Sequence, residues 1–394
     1  MIRMNTSPSL VVFIGHNASR SGAPALLLEI IQSFKAQTKI PFIILLKKGG
    51  ELQSAYEQAG QTYIWESTKK PALNKIKRNA RKIIDRFADI KRKRIIRSIC
   101  YKASVILSNT ITNGSLVEEV NKKNCPVITY VHELQYAIQE ATDRTGLDCA
   151  LKQTSLFLAG SKAVKDNLCL QYHIADSKIE VIYSSLAVQV RERSEYARQT
   201  NMLRSEYGIS EGSLLIGVAA GTEWRKGIDL FLPLVVAYRK LYGLNQLHFL
   251  WMGTKKGSVM ENQLIFDCQK LGLEGQVHLR AHGSDYLSTM ASFDIHLLLS
   301  REDPYPLVVL DAATFGIPTT CFENAGGAPE FVEKDAGFII PYLDINEMAV
   351  KLHQLVSHPM KRLEVGQAAR QKVLLRHNLF TATQKIVTHI NALL

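Results

Sequence analysis

Short apolar runs bounded by turn residues alternate with longer helical periods along the whole chain, and the alternation restarts once near its middle. This restricts the fold to parallel sheets with crossover helices, because a parallel strand pair needs a long return path and a helix fills it. In the first half the expected strands are 10–14, 41–46, 62–65, 104–108, 126–131, 155–159 and 180–183. A polar, strand-free stretch at 191–212 follows, and strands resume at 214–220, 247–253, 277–281, 295–299, 319–322 and 338–340. The expected fold class is α/β, with two Rossmann-like domains facing one another across a cleft. The expected boundaries are 1–190 for the first domain, 191–375 for the second, and 376–394 for a C-terminal helix packing back on the first. Residues 360–394 read as two helices broken near 377–379.

With 394 residues, 46% of them apolar and 21% charged, the chain can bury two sizeable cores. Disordered, collagen-like and coiled-coil classes are excluded. No apolar run approaches the roughly 20 residues of a spanning helix, and the run 10–14 is shorter than a signal segment needs, so a cytoplasmic protein is expected. Six cysteines stand singly, without a Cys-x-x-Cys pair or a neighbouring His, and are expected to be reduced thiols rather than metal ligands.

In open parallel sheets, ligands sit outside the carboxyl ends of the strands. Directly after strand 295–299 comes Ser300-Arg-Glu-Asp-Pro-Tyr-Pro-Leu-Val-Val-Leu-Asp311, which puts Asp303 on a loop and Asp311 eight residues on. With Pro306 as the first helical residue, Asp311 is expected little more than a turn into the helix. Both carboxylates then face one cleft, beside an anion site made by the amides near Leu307 and Val308. That combination suits a phosphorylated, hydroxyl-rich ligand; the alternative is that Asp303 caps the helix and Asp311 is solvated. After strand 214–220, Gly221-Thr-Glu-Trp-Arg-Lys-Gly-Ile-Asp-Leu230 has a phosphate-gripping layout of small residues, a basic pair (Arg225, Lys226), glycine and helix. In the first half, the loop from Gly15 to Pro24 lacks dinucleotide glycine spacing, and Val131-His-Glu-Leu134 closes a strand.

The ordered set of motifs resembles retaining glycosyltransferases of family 4, whose signature is Glu, seven residues, then Glu. The resemblance continues through Gly316-Ile-Pro318 and Asn324-Ala-Gly-Gly-Ala-Pro-Glu330. It implies the GT-B architecture and a nucleotide-diphosphate donor. Asp303 would then contact donor-sugar hydroxyls and Asp311 the ribose, while Arg225 and Lys226 neutralise the diphosphate. Tyr305, Leu307 and Val308 would supply amides, Gly22 would let backbone approach the phosphates and acceptor, and His132 would lie near the donor sugar, with Glu133 beside it. The chain departs from the family in carrying Asp at both acidic positions and Thr222 where many relatives have Arg, a role then left to Arg225. Pro304-Tyr305-Pro306 replaces Gly-Phe-Gly and removes two N–H donors.

No Asp-x-Asp occurs, so neither a metal nor any other cofactor is expected. The resemblance implies retention of anomeric configuration by front-face displacement, the leaving diphosphate taking the acceptor proton. No protein nucleophile is then needed, in contrast to the two-carboxylate glycosidase mechanism.

Net charge is +12, and the segment 69–102, with 14 Lys or Arg against Asp85 and Asp89, accounts for all of it. Ile76, Ala80, Ile83, Ile84 and Phe87 recur at helical spacing, so a basic amphipathic helix is expected, followed by a second at 91–99. Either it lies on an anionic membrane surface or its apolar stripe packs on the first sheet. Nucleic acid is not expected, since Phe87 and Tyr101 are the aromatics there. The expected function is sugar transfer from a UDP- or GDP-sugar to a glycan or lipid-linked acceptor in surface polysaccharide assembly. The alternatives are a nucleotide-sugar epimerase or hydrolase, and a non-catalytic basic scaffold on membrane or RNA.

Overall fold

The computed structural model describes residues 9–66, 75–187, 191–281 and 283–394, with 75–84 by backbone alone. The first sheet contains β1 (Val11–Gly15), β2 (Phe42–Leu46), β3 (Thr62–Ile64), β4 (Val105–Ser108), β5 (Val127–Val131), β6 (Leu156–Ala159) and β7 (Ile179–Val181). The second contains β8 (Leu214–Ala219), β9 (Leu247–Thr254), β10 (Val277–Ala281), β11 (Ile295–Leu298), β12 (Thr319–Phe322) and β13 (Gly337–Ile340). Every expected strand is present, displaced by at most two residues at an end. Most are continuous apolar runs because helices cover both faces; Val11-Val-Phe-Ile-Gly15 is buried throughout.

Strand order is β3-β2-β1-β4-β5-β6-β7 in the first sheet and β10-β9-β8-β11-β12-β13 in the second. All neighbours run parallel. In each sheet the chain builds outward from the first strand and then returns to its other side. This creates a switch point between β1 and β4, and another between β8 and β11, where the loops leaving adjacent strands diverge.

The chain divides into one unit that ends at Ser184 and takes back Leu379–Leu394, and another that runs Ser185–Asn378. These divisions fall slightly before and after the expected 190/191 and 375/376 boundaries. Helix Leu379–Leu393 returns to the first unit because Leu379, Ile386 and Ile390 join the core of Phe13, Leu27 and Ile31, beside helix Gly22–Gln37. Phe13, Phe34 and Phe42 meet edge-to-face in that core at 5.1, 5.7 and 5.8 Å between centroids, each pair adding about 1 kcal/mol beyond its buried area.

The basic segment differs from expectation. Lys75–Cys100 is one continuous helix, not two. Neither glycine nor proline interrupts it, and Asp89 bonds Arg92 and, at 3.1 Å, Lys93 across the expected break. Ile96 and Cys100 enter the core of the first unit, and Lys93 and Arg97 lie over the Trp65 ring at 5.1 and 5.4 Å. Phe87, Ile90 and Ile95 point elsewhere and are 69%, 51% and 49% exposed. Packing against the sheet therefore uses a different face from the one Phe87 occupies; the side chains of Ile76, Ala80, Ile83 and Ile84 lie outside the described residues. Among the described residues, no helix is long and apolar enough to cross a membrane.

Candidate functional site

At the switch point of the second sheet, main-chain bonds tie three loops together. After β8 the chain makes a tight turn at Trp224–Lys226 and reaches Gly227 at φ 75°. A Cβ there would lie 2.0 Å from the Leu299 carbonyl oxygen, so only glycine lets this loop close on the end of β11. The Arg225 carbonyl accepts from the amides of Arg301 (2.8 Å) and Glu302 (3.3 Å) in the loop after β11. In turn, the Asp303 amide donates to Ala325 O (2.7 Å) and the Asp303 carbonyl accepts from Gly327 N (3.0 Å) in the loop after β12.

Asp303 is buried, its carboxylate 2.5 Å from Lys226 Nζ and 3.3 Å from Ser300 Oγ. It does not cap the following helix; Pro306 occupies the cap position, and the helix begins at Leu307, one residue after the expected start. Helix Leu307–Thr314 opens with Leu307 and Val308, whose amides have no carbonyl one turn back and retain anion-binding capacity. Arg225 is half-buried, with Nη1 3.5 Å from the Glu302 carbonyl, at the limit of a hydrogen bond. Among the described residues no carboxylate pairs with it.

Two expected residues sit differently. Asp311 is buried rather than solvated, and its oxygens are turned to Arg191 Nη1 (2.7 Å) and Tyr286 OH (3.0 Å), not toward Lys226 and Asp303. Burial pushes its carboxyl pKa up, while Arg191 and the Tyr286 hydroxyl oppose that rise. Arg191 also reaches Thr314 Oγ1 at 3.2 Å. The Tyr305 ring is buried against His377, with its hydroxyl 3.1 Å from Nε2, so the Tyr305 side chain serves the fold. Arg191, Tyr286 and His377 were not read from sequence: each acts across a long separation, and Arg191 carries no motif of its own.

In the first unit, His132 follows β5, and its Nε2 is 3.0 Å from Asn109 Oδ1 in the loop after β4. Asn109 Nδ2 also donates to Ala23 O (2.8 Å), linking that loop to the start of helix Gly22–Gln37. Glu133 accepts from the Thr110 hydroxyl and, at 3.0 Å, from the His132 amide. It therefore braces the loop; burial pushes its pKa up and these bonds oppose that rise. Gly22 has ordinary backbone angles and open space where a Cβ would be, so nothing in the fold requires glycine there.

Enclosure, with a smaller contribution from His16, lowers the His132 pKa from 6.5 to about 3. His132 is thus a neutral hydrogen-bonding group at physiological pH. An unfolded chain takes up the proton first as pH falls, so His132 withdraws stability as pH drops from 6.5 toward 3. Ring-nitrogen NMR shifts should hold their neutral values from pH 8 to about pH 4; a midpoint near 6.5 would contradict the enclosure.

Residues 199–372 match the family described as glycosyl transferases group 1. Over 287 residues the chain is 23% identical to N-acetyl-alpha-D-glucosaminyl L-malate synthase of Bacillus anthracis, covering 66% of this chain and 73% of that protein. Over 228 residues it is 24% identical to the O-antigen biosynthesis glycosyltransferase WclY of Escherichia coli, covering 54% and 59%. The chain thus spans less than two thirds of this second relative. Among solved structures, Anabaena HepE in complex with UDP and glucose matches with a TM-score of 0.78 at 19% identity, over 97% of this chain and 99% of that one. At that identity the likeness shows the fold.

Proposed function

From the premise that residues 199–372 are a group 1 glycosyltransferase domain, in a chain of GT-B fold, we propose that this protein moves a sugar from a UDP- or GDP-sugar to a glycan or lipid-linked acceptor in surface polysaccharide assembly. The observation that carries the proposal is the Lys226–Asp303 pair at the switch point, beside the amide-bearing start of helix Leu307–Thr314. The likeness to an O-antigen enzyme and to a fold that holds UDP and glucose supports the donor and pathway class.

Asp303 accepts hydrogen bonds from donor-sugar hydroxyls, and Lys226, placed between two anions, moves part of its charge to the diphosphate when the donor arrives. Arg225, which pairs with no carboxylate among the described residues, supplies a second cation, gripping phosphate oxygens with its planar fork. These charges, with the Leu307 and Val308 amides, stabilise the diphosphate as the anomeric bond breaks, and the reaction proceeds with retention and without a metal. Asp311, held by Arg191 and Tyr286, offers its remaining lone pairs to the ribose. His132 meets substrate as an uncharged donor or acceptor. The exposed Phe87, Ile90 and Ile95, among the basic residues of helix Lys75–Cys100, rest on anionic lipid at the cytoplasmic face of a membrane.

Calorimetry with UDP, GDP, ADP and their monophosphates tests this reading. One diphosphate should bind, and Arg225→Ala should weaken it about 30-fold while changing the matching monophosphate little, since a charged hydrogen-bonded contact contributes about 2 kcal/mol. Binding and turnover should survive a chelator. If no nucleotide binds, the transferase assignment fails.

A further inference from the structure

At the switch point of the first sheet, two side chains settle where one proton sits. Asn109 is fully buried, and its side-chain amide is oriented by the Ala23 carbonyl, 2.8 Å from Nδ2. A carbonyl oxygen only accepts, so the NH2 end of the amide faces Ala23 and the oxygen end faces His132. Asn109 Oδ1 lies 3.0 Å from His132 Nε2. Two acceptors at that distance would repel, so Nε2 carries the ring proton and Nδ1 keeps its lone pair. The ring is held on other sides as well: Tyr130 lies against it, 4.0 Å between centroids, and Glu133 takes the His132 amide. Nδ1 is turned to Gly160, immediately after β6, where a Cβ would lie 3.4 Å away. Glycine leaves this edge of the ring uncovered. Among the described residues no hydrogen bond reaches Nδ1, and His132 is half-buried rather than sealed.

We propose that Asn109 is a positioning residue that locks His132 in its Nε2–H tautomer, leaving Nδ1 to receive a hydrogen bond from a hydroxyl of a substrate sugar. This deepens the transferase reading and rests on it for the word substrate. The lock decides which way the bond can run: Nδ1 takes a hydroxyl hydrogen and turns away a carboxylate or an ether oxygen at that place. A ring free to exchange tautomers would spend part of its population with Nδ1 protonated, and sugar affinity would fall by that fraction. Of the titratable groups near the ring, His16 opposes a charge on it. Glu133 is engaged by the Thr110 hydroxyl and the His132 amide, so neither draws a second proton to Nδ1.

Ring-nitrogen NMR reads the tautomer directly, with His132→Gln assigning the signals. In the free wild-type protein at neutral pH, Nε2 should show the shift of a protonated nitrogen and Nδ1 that of a bare one. UDP-glucose, UDP-N-acetylglucosamine and GDP-mannose are then titrated in, and separately the methyl glycosides of the same sugars with UDP or GDP present. At least one should move Nδ1 upfield and leave Nε2 in place, whereas UDP and GDP alone move neither. A nucleotide-sugar that does so puts the hydroxyl on the donor; a methyl glycoside puts it on the acceptor. In Asn109→Ala both nitrogens should take averaged shifts, and calorimetry should show the same probe binding about fivefold more weakly while UDP and GDP bind as before. The proposal is overturned if wild-type Nδ1 carries the proton, alone or in a charged ring, if no sugar moves Nδ1, or if UDP or GDP alone does. It is overturned equally if Asn109→Ala keeps a single Nε2–H tautomer or wild-type sugar affinity. The wild-type titrations decide even where the Asn109 variant fails to fold. Calorimetry with UDP and GDP alone reports separately on the transferase reading: a sugar that moves Nδ1 without nucleotide binding keeps a sugar site and discards the transferase.

Discussion

Replacing Lys226 by Ala should lower the unfolding midpoint of the second unit by about 10 °C and reduce transfer about 10³-fold. Lys226 and Asp303 side chains are 17% and 7% exposed, so neither charge is well hydrated once its partner is gone. Removing one member of such a pair leaves a buried carboxylate unmatched, at about 3 kcal/mol. The paired replacement Lys226→Met with Asp303→Leu removes both charges and should restore most of the stability while leaving transfer as low as before. Scanning calorimetry and turnover on the three proteins separate the two effects. A Lys226→Ala midpoint within a degree or two of wild type would show that water reaches the pair and that its stabilising role is wrong.

Gly227→Ala is the second large effect, with an expected loss of about 4 kcal/mol in urea unfolding. The substituent meets a backbone oxygen at the end of β11 at 2.0 Å, and the residue must keep φ at 75°. Leu299, which carries that oxygen, is fully buried and has no room to retreat. Gly208 supplies the control: its φ is 63°, yet nothing lies within 4 Å of the position a Cβ would take. Gly208→Ala should therefore cost only the left-handed backbone preference, about 1 kcal/mol. The Gly227 variant should also lose nucleotide affinity, because the clash pushes Arg225 and Lys226 away from the Asp303 loop. Equal costs at the two glycines would show that the close approach to β11 does not hold in solution.

The strands were legible because a parallel sheet buried on both faces demands continuous apolar runs such as Val11-Val-Phe-Ile-Gly15. The loops carrying Lys226 and Asp303 were legible for a related reason, since position after a strand is a local property. What the chain does to a carboxylate from far away was not. Asp311 meets Arg191 across 120 residues, and no local pattern announces that pairing. The helix at Lys75–Cys100 shows the same limit at shorter range. Its amphipathic period is plain, but which face meets the protein is decided by Trp65 and the edge of a sheet that periodicity does not locate. Pro306 sits at the cap rather than inside the helix, a one-residue matter that proline's preferences leave undecided.

The three loops at the second switch point are bound to one another through the carbonyls of Arg225, Asp303 and Ala325. Such bonds do not depend on which side chain each residue bears. The scaffold can therefore keep its shape while the half-buried side chain at 302 is exchanged, whereas Ala325 is buried in the core and tolerates no larger one. Shape at this rim is thus written in main-chain bonds, and chemistry is left to the few side chains that point off it.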